Sequence, residues 1–164
     1  MVNEFIRHLL TAMLIGILSA GNAFGQISGN PVTVEVIPIQ SLNFGDLIAG
    51  VKKHISYLDL ASSGQFEVRV TSGTSLFILG FIMSPVSLTG PQGAILPLSY
   101  TGSDGYYNLQ PKVTGGTKFN PLVYSFFPEP GHKYYFYIGG TANPSQTQRS
   151  GAYSGLIMIQ VVYI

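Results

Sequence analysis

The chain has 164 residues, of which only 9% are charged, and its formal net charge is +1. Binding to nucleic acid or to an anionic membrane surface needs clustered Lys and Arg, so this composition argues against both. The length corresponds to one domain with a single core, and with no cysteine in the chain that domain must fold without a disulfide.

Residues 1–25 have the layout of a secretory signal peptide. Arg7 lies in a short charged region, an apolar run extends from Leu9 to Leu18, and small residues follow up to Gly25. The apolar run is too short to span a bilayer comfortably, so a membrane anchor is the weaker alternative. We predict cleavage after Ala23 or Gly25. The mature domain, residues 26–164, is then expected in the periplasm and later at the cell surface or outside the cell, without membrane insertion.

The rest of the chain is typical of short strands separated by turns. Val32, Val34 and Val36 alternate with polar residues, as in a half-buried strand, and Pro38 then indicates an edge or a bend. Turn residues recur too often to allow a long helix, and Gly139-Gly140 is among the predicted turns. The other predicted strands are His54–Leu60, Phe66–Val70, Leu76–Met83, Ile95–Tyr100, Leu122–Phe127, Lys133–Ile138 and Tyr153–Ile164.

This pattern predicts an all-β fold. Seven to nine short strands with a turn every ten or so residues are typical of a sandwich of immunoglobulin-like architecture. We expect the only helix in the signal segment.

The last strand is apolar on both faces. Ile157, Ile159, Val161 and Tyr163 alternate on one face, and only Gln160 interrupts the other. Such a strand needs cover on both faces, and the sequence offers no hairpin partner after it. We therefore expect its outer edge to accept a strand from elsewhere.

The C-terminal stretch resembles that of bacterial chaperone-usher pilus subunits, with Gly151 fourteen residues from the end and Tyr163 in the penultimate position. Three motifs extend over nearly the whole mature chain: Leu42-Asn43-Phe44-Gly45, Tyr137-Ile138-Gly139-Gly140-Thr141 and Gly151-Ala152-Tyr153-Ser154-Gly155. Their order and spacing resemble those of a family of short secreted pilin-like proteins of unassigned function, related to spore-coat and fimbrial subunits. The family's usual Val-Gly-Gly is Ile138-Gly139-Gly140 here, and the segment before Phe44 is short.

The resemblance implies a structural subunit of a surface filament or fimbria-like assembly, joined by donor-strand complementation. A periplasmic chaperone would supply the missing strand first, and a like subunit would replace it. The donor strand would carry Val32, Val34 and Val36. The strand-exchange interface would comprise Gly151, Gly155, Ile157, Ile159, Val161 and Tyr163.

Each assignment has a plainer alternative. Val32 to Val36 could form the first strand of their own domain, and the short segment before Phe44 favours this. Gly151 could serve a loop and Gly155 a bulge. The ring of Tyr163 could anchor strand pairing at the rim of a groove or pack in the core.

The alternative function is that of a self-contained secreted or surface sandwich that binds a glycan or a protein. Exposed aromatic rings could stack on sugars, and the stretch from Phe119 to Tyr137 is rich in them. Alternation across a hairpin would instead place most of them in the core. The candidates are Tyr106, Tyr107, Tyr124, Phe126, Phe127, Tyr134, Tyr135 and Phe136.

The sequence contains no recognisable catalytic constellation. His54 and His132 do not stand in a metal-ligand spacing, the carboxylates are scattered singly, and neither a Gly-x-Ser-x-Gly elbow nor a phosphate loop occurs. Asp104 could ligate calcium, although an Asp between glycines and serine is more typical of a turn. We therefore expect a protein that is not an enzyme and that needs no cofactor or metal.

Overall fold

The structure is a computed structural model that describes residues 32–73 and 78–163. The predicted signal peptide and residues 26–31 lie outside the described residues, as does the start of the strand predicted from Leu76. Among the described residues there are twelve strands and one 3-10 turn, Pro91–Gly93, and no α-helix. The all-β prediction is confirmed. No helix in the described ranges is long and apolar enough to cross a membrane.

The strands form three antiparallel sheets. A five-stranded sheet has the order β1-β3-β10-β7-β8, a four-stranded sheet β2-β11-β6-β5, and a three-stranded sheet β12-β4-β9. The strands are β1 (Val34–Gln40), β2 (Lys53–Ile55), β3 (Gly64–Val70), β4 (Ile78–Met83), β5 (Ser87–Thr89), β6 (Ile95–Ser99), β7 (Gly105–Asn108), β8 (Thr117–Phe119), β9 (Tyr124–Phe126), β10 (Lys133–Ile138), β11 (Gly140–Ala142) and β12 (Met158–Tyr163).

The main core lies between the five-stranded and the three-stranded sheets, as in a sandwich. Alternate residues of β3 and β10 face inward, so that Phe66 and Phe136 stack with ring centroids 4.9 Å apart. Ile78 and Ile82 of β4 meet them from the other sheet, and both are fully buried. The alternation of apolar and charged residues along β3 specifies which face of the five-stranded sheet is buried.

A second, smaller core belongs to the four-stranded sheet and centres on the buried Leu96. The chain enters this sheet from β10 through Gly139, where a side chain would not fit, because a Cβ would lie 2.4 Å from the carbonyl oxygen of Ile55. The turn predicted at Gly139-Gly140 is wrong, since Gly140–Ala142 is strand β11.

Twelve strands exceed the predicted seven to nine. The sequence pattern missed β5, β7, β8 and β11, which have only three or four residues and thus too few alternations to recognise. Three predicted strands are clearly shorter than expected. The strand predicted at Leu122–Phe127 is reduced to Tyr124–Phe126. Only the first two residues of His54–Leu60 lie in a strand, because turns follow with hydrogen bonds from Asp59 N to Ser56 O and from Ser62 N to Asp59 O. Regular pairing of the final strand begins at Met158.

Candidate strand-exchange site

The outer edge of β12 is unpaired within the described part of the chain. β12 pairs on one side with β4, from Met158 opposite Met83 to Tyr163 opposite Ile78. No other described strand pairs with it, so it is an edge strand. An exposed edge presents a row of backbone N–H and C=O groups that can pair with an added strand.

The inner face of this edge strand is apolar. Ile157, Ile159 and Val161 pack against the main core, and each stays half-buried. They point inward at every second residue, as the alternation predicted. Tyr163 follows the same alternation but lies at the end of the strand, and 49% of its surface is exposed. Its position is closer to a groove rim than to the core.

A groove of about 450 Å³ separates the segment that leads into β12 from β1. One wall carries Val36 and Pro38 of β1, and the other carries Gly155, Ile157 and Ile159. The rest of its lining is mostly apolar and includes Leu42, Phe66, Leu88, Leu98, Tyr100 and Tyr153, none of which was predicted as a site residue. They come from five separate segments of the chain, so their spacing could not predict that they meet in one groove.

Two tyrosines of the groove lining are held by hydrogen bonds of their hydroxyl groups. The hydroxyl of Tyr100 donates to the carbonyl oxygen of Pro85 at 3.0 Å. Burial raises the pKa of Tyr100 to about 12, with the nearby negative charge of Asp104 adding to the effect. The hydroxyl of Tyr153 donates to the carbonyl oxygen of Arg149 at 2.6 Å. These bonds orient both rings in the lining of the groove.

The residues predicted as a donor strand belong to the chain's own sheet. Val34 lies opposite Val70 and Val36 opposite Val68 in the antiparallel β1–β3 pair. Val32 is buried in the main core. In this structure they form an ordinary first strand, which is the plainer alternative. Of the three, Val36 lines the groove. The strand β1 that contains it does not pair with β12.

Both glycines of the predicted interface are explained by contacts within the chain. Gly151 has φ +138°, and a Cβ there would lie 2.3 Å from Cγ of Pro91. A Cβ on Gly155 would lie 2.9 Å from Cδ2 of Leu88. Gly151 thus lies in a loop, which agrees with the plainer of the two roles considered for it. Gly155 lies in the irregular segment before β12.

Most of the aromatic candidates for a sugar-binding surface are inside the protein. Tyr107 lies within 6.3 Å of five other rings, counted between centroids, in the main core. Tyr106 is buried on the other side of the sheet, stacked on Tyr57 at 5.1 Å. Phe127 is the exception, with 64% of its surface exposed. Buried rings cannot stack on a sugar, which weighs against the glycan-binding alternative.

Asp104 is buried and has the contacts of a turn residue. Its Oδ2 accepts a hydrogen bond from Thr101 N at 2.6 Å, and its Oδ1 lies 3.8 Å from Nε2 of His54. His54 in turn has its Nδ1 3.0 Å from Oγ1 of Thr141. Among the described residues, no group of three or more His, Cys, Asp or Glu side chains could hold a metal ion.

No family model matches the chain, and neither a curated protein nor a solved structure matches it. We therefore infer the function from the unpaired edge of β12 and the groove next to it.

Proposed function

We propose that this chain is an exported structural subunit of a surface filament or fimbria-like assembly, and that a strand from another molecule completes its sandwich. The observation that carries the proposal is the unpaired edge of β12 beside an apolar groove. A periplasmic chaperone would occupy this site first, and a like subunit would follow.

The strand order supports this proposal. An immunoglobulin-like sandwich has sheets ABED and CFG, lettered in chain order. Here the five-stranded sheet contains neighbours in the order β1-β3-β10-β7, which corresponds to A-B-E-D. The pair formed by β4 and β12 corresponds to C and F. The G strand would lie beyond β12, where no described strand is found. A donated strand would take that place.

The groove can contribute substantial binding energy. A donor strand that buried three or four apolar side chains there would gain roughly 5–10 kcal/mol, at about 1.5–3 kcal/mol each, as an upper value. Association itself costs at least about 4 kcal/mol in lost freedom. A donor therefore needs apolar residues at every second position along the whole groove.

The sequence indicates which segment of a like subunit could act as donor. Residues 26–31, Gln-Ile-Ser-Gly-Asn-Pro, contain only one large apolar residue, Ile27. The alternation begins at Val32 and continues through Val34 and Val36. Donation would thus release β1 from β3 of its own domain, which an edge strand can do without opening the centre of a sheet.

Peptide binding tests the proposal. A synthetic peptide of residues 26–40 is added to the mature chain, and hydrogen exchange of the β12 amides is measured. We expect slower exchange from Met158 to Tyr163. A peptide with Val34→Asp should have no effect, because a carboxylate would enter the apolar groove unpaired at a cost of several kcal/mol.

A matched pair of variants in the mature chain locates the site. Ile159→Asp should abolish peptide protection, whereas Ile39→Asp, at an exposed position of β1, should preserve it. A mature chain that stays a cooperative monomer and leaves its β12 amides unprotected by the peptide would contradict the proposal. The secreted binding-module function would then be favoured.

A further inference from the structure

The outer face of the three-stranded sheet is apolar. Its side chains belong to none of the buried clusters of the described residues. Val123 and Phe127, which flank β9, are 72% and 64% exposed. Ser125 of β9 lies between them, opposite Phe81. Three opposed pairs of β12 and β4 residues make up its centre, namely Met158 with Met83, Gln160 with Phe81, and Val162 with Leu79.

None of these nine residues is charged, and Ser125 and Gln160 are the polar ones among them. The outer face of the five-stranded sheet differs, since Glu35, Glu67, Arg69 and Lys133 form ion pairs there. A sheet face in water is normally polar, and a contiguous apolar face is typical of an interaction surface. The two outer faces of one domain thus differ in charge: one carries ion pairs, and the other carries no charged residue.

We infer that this outer face packs against the same face of a second copy of the chain, related by a two-fold axis. Self-packing of an uncharged face brings no like charges together and leaves no charge of either copy unpaired. A partner with a charged surface would lose hydration there without gaining an ion pair. Two such sheets can pack about 10 Å apart, with their side chains interdigitated.

The size of the face sets the strength of the contact. Three strands of up to six residues cover about 15 Å by 20 Å, from the usual strand spacing and rise. This is smaller than a standard interface, so we expect a weak and rapidly reversible dimer. Because β12 contributes both this face and the proposed strand-exchange edge, subunits joined in a row would present the face repeatedly. Many weak contacts would then act together between rows.

Sedimentation equilibrium of the mature chain over about 1–500 µM tests the inference, because this range covers dissociation constants from micromolar towards millimolar. We expect a concentration-dependent dimer that Val123→Asp weakens at least tenfold. Val86→Asp is the matched control, because Val86 is 63% exposed and lies in the connection to β5, off this face.

Methionine oxidation provides a second readout. Met83 and Met158 are the only methionines in residues 26–164, and both lie on this face. Peroxide should oxidise them more slowly at high protein concentration than at low. Protection of both at every concentration would mean that another part of the same chain covers the face, and the inference would be wrong.

Two further outcomes would also overturn the inference of a dimer. One is a chain that stays monomeric at all concentrations while its methionines react with peroxide. The other is that Val86→Asp weakens dimerisation as much as Val123→Asp does. The inference does not depend on strand exchange, and dilution separates the two. The face contact should dissociate within seconds, whereas strand-exchanged multimers should persist.

Discussion

The ring of Phe126 on β9 covers Gly80 on the neighbouring strand β4, so closely that a Cβ at Gly80 would lie 2.5 Å from Cε1 of the ring. The two residues are directly opposite each other in the sheet. The glycine thus leaves the space that lets an aromatic ring lie flat in the main core.

Gly80→Ala should destabilise the domain. The added methyl group would force the Phe126 ring out of its position, and overpacking of this kind costs about 1–3 kcal/mol. Chemical denaturation of the mature chain measures the difference. Gly102→Ala is the control, because a Cβ there has nothing within 4 Å and should change stability by less than about 0.5 kcal/mol. Equal stability of the two variants would contradict the close packing.

Sequence reasoning identified the strands with long alternation. β3 could be predicted because Phe66, Val68 and Val70 alternate with charged residues, and β10 because Tyr134 to Ile138 form an unbroken aromatic and apolar run. β11 could not, because Gly139-Gly140 is also a turn signal, and only contact with Ile55 shows that the glycines allow a close crossing. The unpaired edge of β12 could be predicted, because the strand is apolar on both faces and no partner strand follows it. The lining of the groove could not be predicted, because contacts between distant parts of the chain bring its residues together.

Glu67 should make stability depend on pH at the acid end. The hydrogen bond from Arg69 Nε, at 2.6 Å, holds the pKa of this largely buried carboxyl below its usual value of 4.5, with the charges of Arg69 and Lys133 adding to the effect. The carboxylate therefore stabilises the fold above the unfolded pKa, and this contribution is lost as the pH falls through the folded pKa.

Thermal unfolding at pH 7 and pH 3 measures this contribution. Glu67→Gln should lower the melting temperature at pH 7, and the difference from wild type should shrink towards pH 3. Glu35→Gln is the control. Glu35 is 3.6 Å from the same Arg69 but 62% exposed, so its ion pair should contribute little. If Glu67→Gln lowers the melting temperature equally at pH 7 and pH 3, the cause is not electrostatic.

Tyr100 should make stability fall in alkali. Its pKa is raised to about 12, so the folded state keeps the phenol proton while the unfolded state loses it near pH 10. The protonated phenol's contribution is complete below pH 10 and decreases as the pH rises to about 12. Tyr100→Phe should flatten the stability curve in this window. Tyr163→Phe, at a half-exposed ring, serves as the control. If stability falls equally steeply with pH in Tyr100→Phe and Tyr163→Phe, the prediction is wrong.

The N-terminal layout predicts removal of a signal peptide. Mass spectrometry of the exported protein should find a new N-terminus between Phe24 and Gln26. Replacing Leu14 in the apolar run by Arg should block export, whereas Leu14→Ile should not. Cell-associated protein that retains Met1 would indicate an anchor instead.

The glycines before β12 distinguish a role within the chain from a role in strand exchange. Gly151→Ala should cost about 2–3 kcal/mol, because its φ of +138° is strained for alanine and the Cβ would meet the Pro91 ring. Gly155→Ala should cost only about 1 kcal/mol, since the flexible end of Leu88 can move away.

Denaturation and binding of the residue 26–40 peptide are measured on the same two variants. If the glycines serve the chain's own packing, Gly151→Ala lowers stability more than Gly155→Ala does, and neither variant changes peptide affinity much. If they make room for a donor strand, Gly155→Ala weakens peptide protection of the β12 amides while stability stays near wild type. The contacts with Pro91 and Leu88 favour the first result, because each glycine already faces a neighbour in its own chain.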